Sequence, residues 1–276
     1  MAEAQRIVAT IMGCGSSGGV PRIGGAWGAC DPNNPRNRRR RCSLLIEGFS
    51  DGSEQPTRII IDTGCDLREQ LLDAKVDRVD AVLYTHEHAD HTHGIDDLRV
   101  LALNSRKRVN VYFSQEAGNR IVPSFAYCFT APPGSGYPPI LNQNLIDADV
   151  PLVVSGPGGD ITVLPFEQTH GDISSMGFRV HGFAYSCDLS GIPERSVHAV
   201  RGLDTWVLDA LRITPHPSHL SLAESLALVG RMQPRQAVLT NLHIDLDYDE
   251  TERTTPANVT PAFDGMRIDI PTGTQS

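Results

Sequence analysis

The chain has 276 residues, 40% hydrophobic and 21% charged, with a net charge of −9 and a sequence pI of ≈ 5.5. That length supports a large core in one or two domains, and the acidic balance argues against wrapping long nucleic acid, whose phosphates demand basic surface. No apolar run approaches membrane-spanning length, and the first residues lack the form of a signal peptide, which together imply a cytoplasmic protein.

Arg6 to Met12 reads as a first strand running into Gly13-Cys14-Gly15-Ser16-Ser17-Gly18-Gly19. The pattern G-x-G-x-x-G is formally present, but Pro21 and Gly24-Gly25 stand where a helix should begin, and no βαβ unit follows. The stretch is either a tight loop offering N–H groups to an anion, with Ser16 and Ser17 as substrate-binding candidates, or a plain turn between strands. Arg36 and Arg38 to Arg41 form a basic cluster before the strand Ser43 to Glu47, and read as a solvated face with phosphate contact left unassigned. Thr57 to Asp62 is a strand, Asp66 to Ala74 a short helix, and residues 79–84 a buried strand. Asp62, at a strand end, is a candidate to orient a histidine ligand by hydrogen bonding.

The buried strand delivers His86-Glu87-His88-Ala89-Asp90-His91, three imidazoles and a carboxylate within six residues. They cannot share one helix face, but in a turn leaving a strand they can converge on one point. Imidazole and carboxylate are ligands for zinc and similar ions, and the spacing divides into His86 and His88 for one ion, Asp90 and His91 for a second. His93 reads as a neighbour, and Ile95 to Arg99 as the start of a helix. Val109 to Phe113 is a strand and Gln115 to Ile121 a helix. Residues 123–150, rich in Pro, Gly and Asn with Phe125, Tyr127, Phe129 and Tyr137 interleaved, read as a lid-like insertion whose aromatics either stack on a base or sugar or, the commoner outcome, pack it onto the body.

Further strands are expected at 161–166, 176–180, 182–185, 203–208 and 236–240. His170 follows the first, Asp188 the third, and Asn241-Leu242-His243 the last. Ser221-Leu222-Ala223-Glu224 fits a capping box opening a helix over 222–232, with His216 and His219 just before it. The tail carries no strong pattern, and no linker divides the chain, so a single domain over 1–276 is expected. The six scattered cysteines, Cys14, Cys30, Cys42, Cys65, Cys128 and Cys187, include no C-x-x-C and read as free thiols.

His-x-His-x-Asp-His after a strand resembles the signature of the metallo-β-lactamase superfamily. The resemblance implies an α/β (α+β) fold, a four-layer αββα sandwich with the metal site at one edge of the two sheets. It assigns His86, His88 and His170 to one ion, Asp90, His91 and His243 to another, and Asp188 as a bridge. Relatives often place the last histidine directly after the final strand; here that residue is Asn241, and His243 is taken because an amide is a poor ligand. A Cys-free, carboxylate-bridged set suits catalysis better than structural zinc. The implied cofactors are two divalent ions, zinc first, with manganese or iron(II) also compatible.

Gly13 to Pro21, the Arg-rich lead, Asp62-Thr63-Gly64 and His93 to Arg99 look like the branch that contains the phosphoribosyl 1,2-cyclic phosphate phosphodiesterase, a branch related to the transfer-RNA 3′-processing nucleases. The resemblance implies Asp90 and His219 in catalysis, with His219 also near substrate phosphate and His216 in reserve. That enzyme's extra Cys-rich zinc is not expected here, because its region offers only Cys30. The expected function is a dinuclear phosphodiesterase on a small phosphodiester, a cyclic phosphate or nucleotide, through attack by a metal-bridging hydroxide. Its rivals are an RNA-end nuclease, an ester, thioester or lactam hydrolase, and a nucleotide-binding module without turnover. The partner is a small phosphorylated molecule, and a homodimer is left open.

Overall fold

Side-chain alternation assigns each strand to its layers. In β2 (Ser43–Phe49), Leu44 and Ile46 face one way and Leu45 the other, and all three are buried, so this sheet is covered on both faces. The computed structural model describes residues 2–131 and 133–273. Its first sheet comprises β1 (Arg6–Gly13), β2, β3 (Thr57–Ile61), β4 (Ala81–Leu83), β5 (Val109–Phe113), β6 (Leu141–Leu145) and the returning β14 (Arg267–Ile270), in the order β14-β1-β2-β3-β4-β5-β6. The second comprises β7 (Leu152–Val154), β8 (Ile161–His170), β9 (Ile173–Val180), β10 (Phe183–Ser186), β11 (Thr205–Asp209), β12 (Gln236–Thr240) and β13 (Val259–Pro261), in the order β13-β12-β11-β10-β9-β8-β7.

Between the sheets, Ile7, Ile11, Leu44, Ile46 and Ile59 meet Ile161, Val163, Phe178, Val180 and Val207 in one buried cluster. The other face of the first sheet, with Leu45, Ile60 and Val82, is covered by helices. These include α1 (Leu67–Asp73), α3 (Leu98–Ser105) and α4 (Gln115–Ser124); α2 (Ala89–Thr92) and α5 (Ala126–Phe129) are single turns. On the second sheet, Trp206, Leu208, Ala237 and Leu239 pack against Leu228, Val229 and Met232 of α6 (Leu222–Met232), and α7 (Tyr248–Thr254) follows. Full burial of each such side chain contributes about 1.5–3 kcal/mol. The result is the expected helix–sheet–sheet–helix sandwich. Among the described residues no helix is long and apolar enough to cross a membrane.

Strand direction places the site. β3, β4 and β5 run parallel, as do β10, β11 and β12; β8 is antiparallel to β9 and β9 to β10, so β8 runs with β10. Parallel strands bring their C-terminal ends to one edge. That edge receives Asp62 after β3, His86 after β4, His170 closing β8, Asp188 after β10, Asp209 closing β11 and Asn241 after β12.

Part of the insertion expected at 123–150 packs onto the body, the commoner of the two outcomes weighed for its aromatics. Phe125 lies edge-on to His93 with ring centroids 5.7 Å apart, Phe129 meets Phe113 at 6.3 Å, Cys128 is buried, and residues 141–145 form an edge strand of the first sheet. Tyr127 and Tyr137, by contrast, are exposed.

Candidate metal centre and active site

Asp62 anchors the centre. Its backbone is left-handed (φ 63°) and its carboxylate fully buried. Oδ1 accepts from the Thr85 N–H (2.8 Å), and Oδ2 from the Thr85 hydroxyl (2.8 Å) and His91 Nδ1–H (2.7 Å). Because the Thr85 hydroxyl proton is committed to Asp62, its oxygen accepts from His86 Nδ1–H (2.9 Å). His170 Nδ1–H donates to the Ser218 carbonyl (2.7 Å). With Nδ1 as the donor in each ring, the Nε2 atoms of His86, His91 and His170 point inward, an assignment that follows from the hydrogen-bond network. Burial opposes protonation of His91, but Asp188 and Asp62 raise its pKa well above the usual value, so its Nε2 carries a proton that a bound ion would replace.

His86 Nε2 is 2.9 Å from His88 Nδ1, and His170 Nε2 is 3.3 Å from the same atom. Asp188 Oδ2 lies 3.7 Å from His86 Nε2 and 3.8 Å from His170 Nε2. Ligands about 2.1 Å from a tetrahedral ion stand about 3.4 Å apart, so these four fit one divalent ion. Burial pushes the pKa of His86 well down and that of His170 down, favouring the neutral ring that binds metal. Burial alone would raise Asp188, but His91 and the neighbouring imidazoles hold its carboxyl well below the usual range.

The set expected for a second ion is assembled differently. His91 Nε2 lies 3.4 Å from Asp188 Oδ1 and 3.6 Å from Asp90 Oδ2, as a shared ion requires. His243 does not join them. The residue immediately past β12 is the one that faces the site, and it is Asn241 (φ 60°), whose Nδ2–H donates to Asp188 Oδ1 (3.0 Å). The Cys187 thiol donates to the same oxygen (3.0 Å). Two residues on, His243 is pinned by its N–H to the Leu211 carbonyl (2.9 Å) and by Arg39 at its own carbonyl (3.3 Å). Its ring donates Nδ1–H to Asp245 (2.7 Å) and accepts from the Arg22 guanidinium. Of the residues expected around a second ion, one imidazole and two carboxylates come together, while Asn241 presents an N–H donor to them rather than a ligand atom.

A cavity of about 240 Å³ opens beside the cluster. Ser16, Ser17, Asp90, Asp188, His219 and Asn241 line it, together with Arg22, Arg212, His216 and His243. Residues 123–150 contribute none of its lining among the described residues. His219 Nδ1–H donates to Asp209 Oδ2 (2.9 Å), and its Nε2 lies 3.9 Å from Asp188 Oδ2. Burial opposes protonation of His219, but Asp209 and Asp188 raise its pKa. Burial pushes Asp209 up to about 6 against the pull of His219. His216 also faces the cavity, where its Nδ1 accepts from the Ser218 N–H (3.3 Å).

The Gly-rich loop is a turn. The N–H groups of Gly15, Ser16 and Gly19 are spent on the carbonyls of Arg40 (2.7 Å), Leu242 (3.3 Å) and Ser16 (2.8 Å). Gly13 is required by close approach, since a Cβ there would lie 2.0 Å from the Arg41 carbonyl oxygen. The Arg38–Arg41 run supports loops: Arg39 is buried, Arg40 pairs with Asp73, and Arg41 pairs with Asp66 (2.9 Å) while donating to the Ser17 carbonyl (3.3 Å). The sequence reading missed Asp209, Arg22 and Arg212. Asp209 carried a usable signal, since it closes an apolar strand as Asp62 and Asp188 follow theirs.

Residues 57–244 match the family model of the Beta-lactamase superfamily domain. The chain belongs to the metallo-β-lactamase superfamily. This is a superfamily of metal-dependent hydrolases, and the inward-facing cluster of His86, His88, His170 and Asp188 fits that class. Among solved structures, the superfamily member is similar to a new diphosphatase from the PhnP family, with 32% identity, a TM-score of 0.83, and coverage of 96% of this chain and 97% of that one. Zn(2+)-bound PqqB from Methylobacterium extorquens shares the fold at 16% identity and a TM-score of 0.75, over 95% of this chain and 100% of that one. A curated relative, an octanoyltransferase of Porphyromonas gingivalis, is 30% identical over 94% of this chain. The match spans 51% of that relative, so the chain accounts for about half its length.

Proposed function

We propose that the chain is a metal-dependent phosphoric ester hydrolase acting on a small phosphodiester, a cyclic phosphate, a nucleotide ester or a diphosphate diester. The observation that carries the reading is the cavity itself, where Arg22, Arg212 and His219 stand around the histidine cluster. Cationic and hydrogen-bonding walls suit a phosphate. The likeness to the PhnP-family diphosphatase supports the same chemistry. An octanoyl substrate fits less well. An eight-carbon chain needs an apolar channel, and Leu211 is the one apolar residue lining this cavity among those described.

His86, His88, His170 and Asp188 would hold the first divalent ion, with zinc, manganese or iron(II) suited to such ligands. Asp90, His91 and Asp188 would hold a second more weakly, because Asn241 turns an N–H donor to Asp188 where an imidazole would bind. A divalent ion bound there supplies Lewis acidity to a phosphoryl oxygen and lowers the pKa of water. Asp62 fixes the His91 and Thr85 orientations and, through Thr85, the tautomer of His86. His219, with Nδ1 committed to Asp209, turns Nε2 toward the cavity and in its protonated form gives a proton to the leaving oxygen. Ser16 and Ser17 offer hydroxyl groups to the remaining phosphate oxygens.

The test is a side-by-side assay of the zinc- or manganese-loaded protein on bis(p-nitrophenyl) phosphate and an octanoyl thioester. Turnover of the phosphodiester at least tenfold above the thioester is expected. Thioester turnover with no phosphodiester turnover would remove the reading.

A further inference from the structure

Arg22 lies just past the Gly-rich loop, in a closed turn where its N–H donates to the Ala26 carbonyl (2.9 Å) and its carbonyl accepts from the Gly25 N–H (2.9 Å). Its guanidinium reaches the cavity wall and donates to His243 Nε2. His243 Nδ1–H donates to Asp245 Oδ1 (2.7 Å), and Asp245 Oδ2 accepts from the Ile213 N–H (3.3 Å). One hydrogen-bonded chain thus ties three loops together at the cavity. Gly18 leaves room for the arginine stem, since a Cβ there would lie 3.2 Å from Arg22 Nε and 3.4 Å from its Cγ. A guanidinium carries five N–H donors, so the bond to His243 leaves donors free for a ligand. The carboxylate that orients the imidazole, Asp245, stands one residue further from the guanidinium.

The histidine cluster, His219 and the two serines are enough to hold one phosphoryl group. A fixed cation at the same cavity calls for a second anionic group, and guanidinium geometry matches two phosphate oxygens at once. We propose that Arg22, positioned by His243 and Asp245, is a specificity-determining residue that binds the second, non-scissile phosphoryl group of a diphosphate diester, so that the site prefers a P–O–P linkage to an isolated phosphodiester. This rests on the phosphoric ester hydrolase reading. In the step, water forms the new P–O bond to the scissile phosphorus and releases a proton to solvent. The P–O bond to the bridging oxygen breaks, and that oxygen leaves on the second phosphoryl group with the proton from His219. The products are two phosphomonoesters, and His219 regains its proton from solvent.

The experiment measures kcat/KM of the metal-loaded full chain on ADP-ribose, a diphosphate diester, and on bis(p-nitrophenyl) phosphate, which has one phosphorus. The readout is the ratio of the two values. In Arg22→Ala the ratio falls roughly 10- to 100-fold, the range for losing a charge-assisted hydrogen-bonded contact. Arg22→Lys restores part of it, and Asp245→Asn lowers it less, mainly through KM for ADP-ribose. A ratio within about twofold of wild type in Arg22→Ala overturns the proposal, given metal content and circular dichroism equal to wild type. A wild-type protein active on bis(p-nitrophenyl) phosphate but not on ADP-ribose overturns it too and leaves the hydrolase reading standing. Inactivity on both removes that reading, and this proposal with it.

Discussion

Asp209→Asn isolates one charge. Asp209 is fully buried; Oδ2 accepts from His219 Nδ1–H (2.9 Å) and the Leu189 N–H (3.1 Å), while Oδ1 is buried without a hydrogen-bond partner. An asparagine of the same shape keeps its oxygen on those two donors and places its amide group where Oδ1 stood. The substitution removes the negative charge beside His219 and little else. A hydrogen bond to a charged group contributes about 1.5–3 kcal/mol, which converts to a roughly 10- to 150-fold loss in kcat. The assay is kcat on bis(p-nitrophenyl) phosphate with bound metal measured in parallel. His219→Ala alone should lose about 10²- to 10⁴-fold, the usual worth of a general acid. The double variant should lose no more than His219→Ala, because Asp209 acts through that ring. Unchanged kcat in Asp209→Asn, or additive losses in the double variant, would refute the coupling of the two residues.

Asn241→His should strengthen the second metal position, raising the metal-to-protein ratio retained after dialysis from near one toward two; a wild-type ratio already at two would contradict the weaker position argued for Asn241. Asp62→Ala frees His91 and the Thr85–His86 pair, and loss of such an orienting carboxylate should weaken metal affinity about 10- to 100-fold in a competition titration. Asp264 is held up to about 6 by burial, although the N–H groups of Arg40 (2.9 Å) and Cys14 (3.1 Å) donate to it. A carboxyl raised above its unfolded value of 3.8 binds its proton more tightly in the folded chain, so its contribution to stability is full below pH 4 and declines toward pH 6, by up to about 3 kcal/mol. Asp264→Asn should therefore be more destabilised relative to wild type at pH 4 than at pH 7 in denaturant melts. An equal gap at both pH values would count against the shift.

The fold was legible where apolar residues recur with a clear period. The helix at 222–232 and the strand at 236–240 match their predicted bounds, because a capping box opens the one and buried Ala237 to Leu239 fill the other. The strands at 141–145 and 267–270 were not legible. Leu-Asn-Gln-Asn-Leu and Arg-Ile-Asp-Ile are edge strands with little buried surface, and their pairing partners lie far away in sequence. The convergence of His86, His88, His170 and Asp188 followed from strand ends and family resemblance. The choice of His243 over Asn241 weighed ligand chemistry against backbone reach, and in the structure the residue directly past β12 faces the site. Arg22 and Arg212 gave no sequence signal, since isolated arginines in loops are ordinary, and only the fold places them at the cavity.

On the proposed function, the cluster at the common strand edge cleaves a phosphoric ester only with its metal bound. Bis(p-nitrophenyl) phosphate followed by ³¹P NMR, with metal-loaded wild type and with Asp188→Ala, tests this. Stoichiometric appearance of p-nitrophenyl phosphate is expected with wild type, abolished by chelation and restored by added metal. A loss of about 10²- to 10³-fold is expected in Asp188→Ala, on the scale of a single strongly stabilising group. Chelator-resistant cleavage, or full activity in Asp188→Ala, would contradict the proposed function.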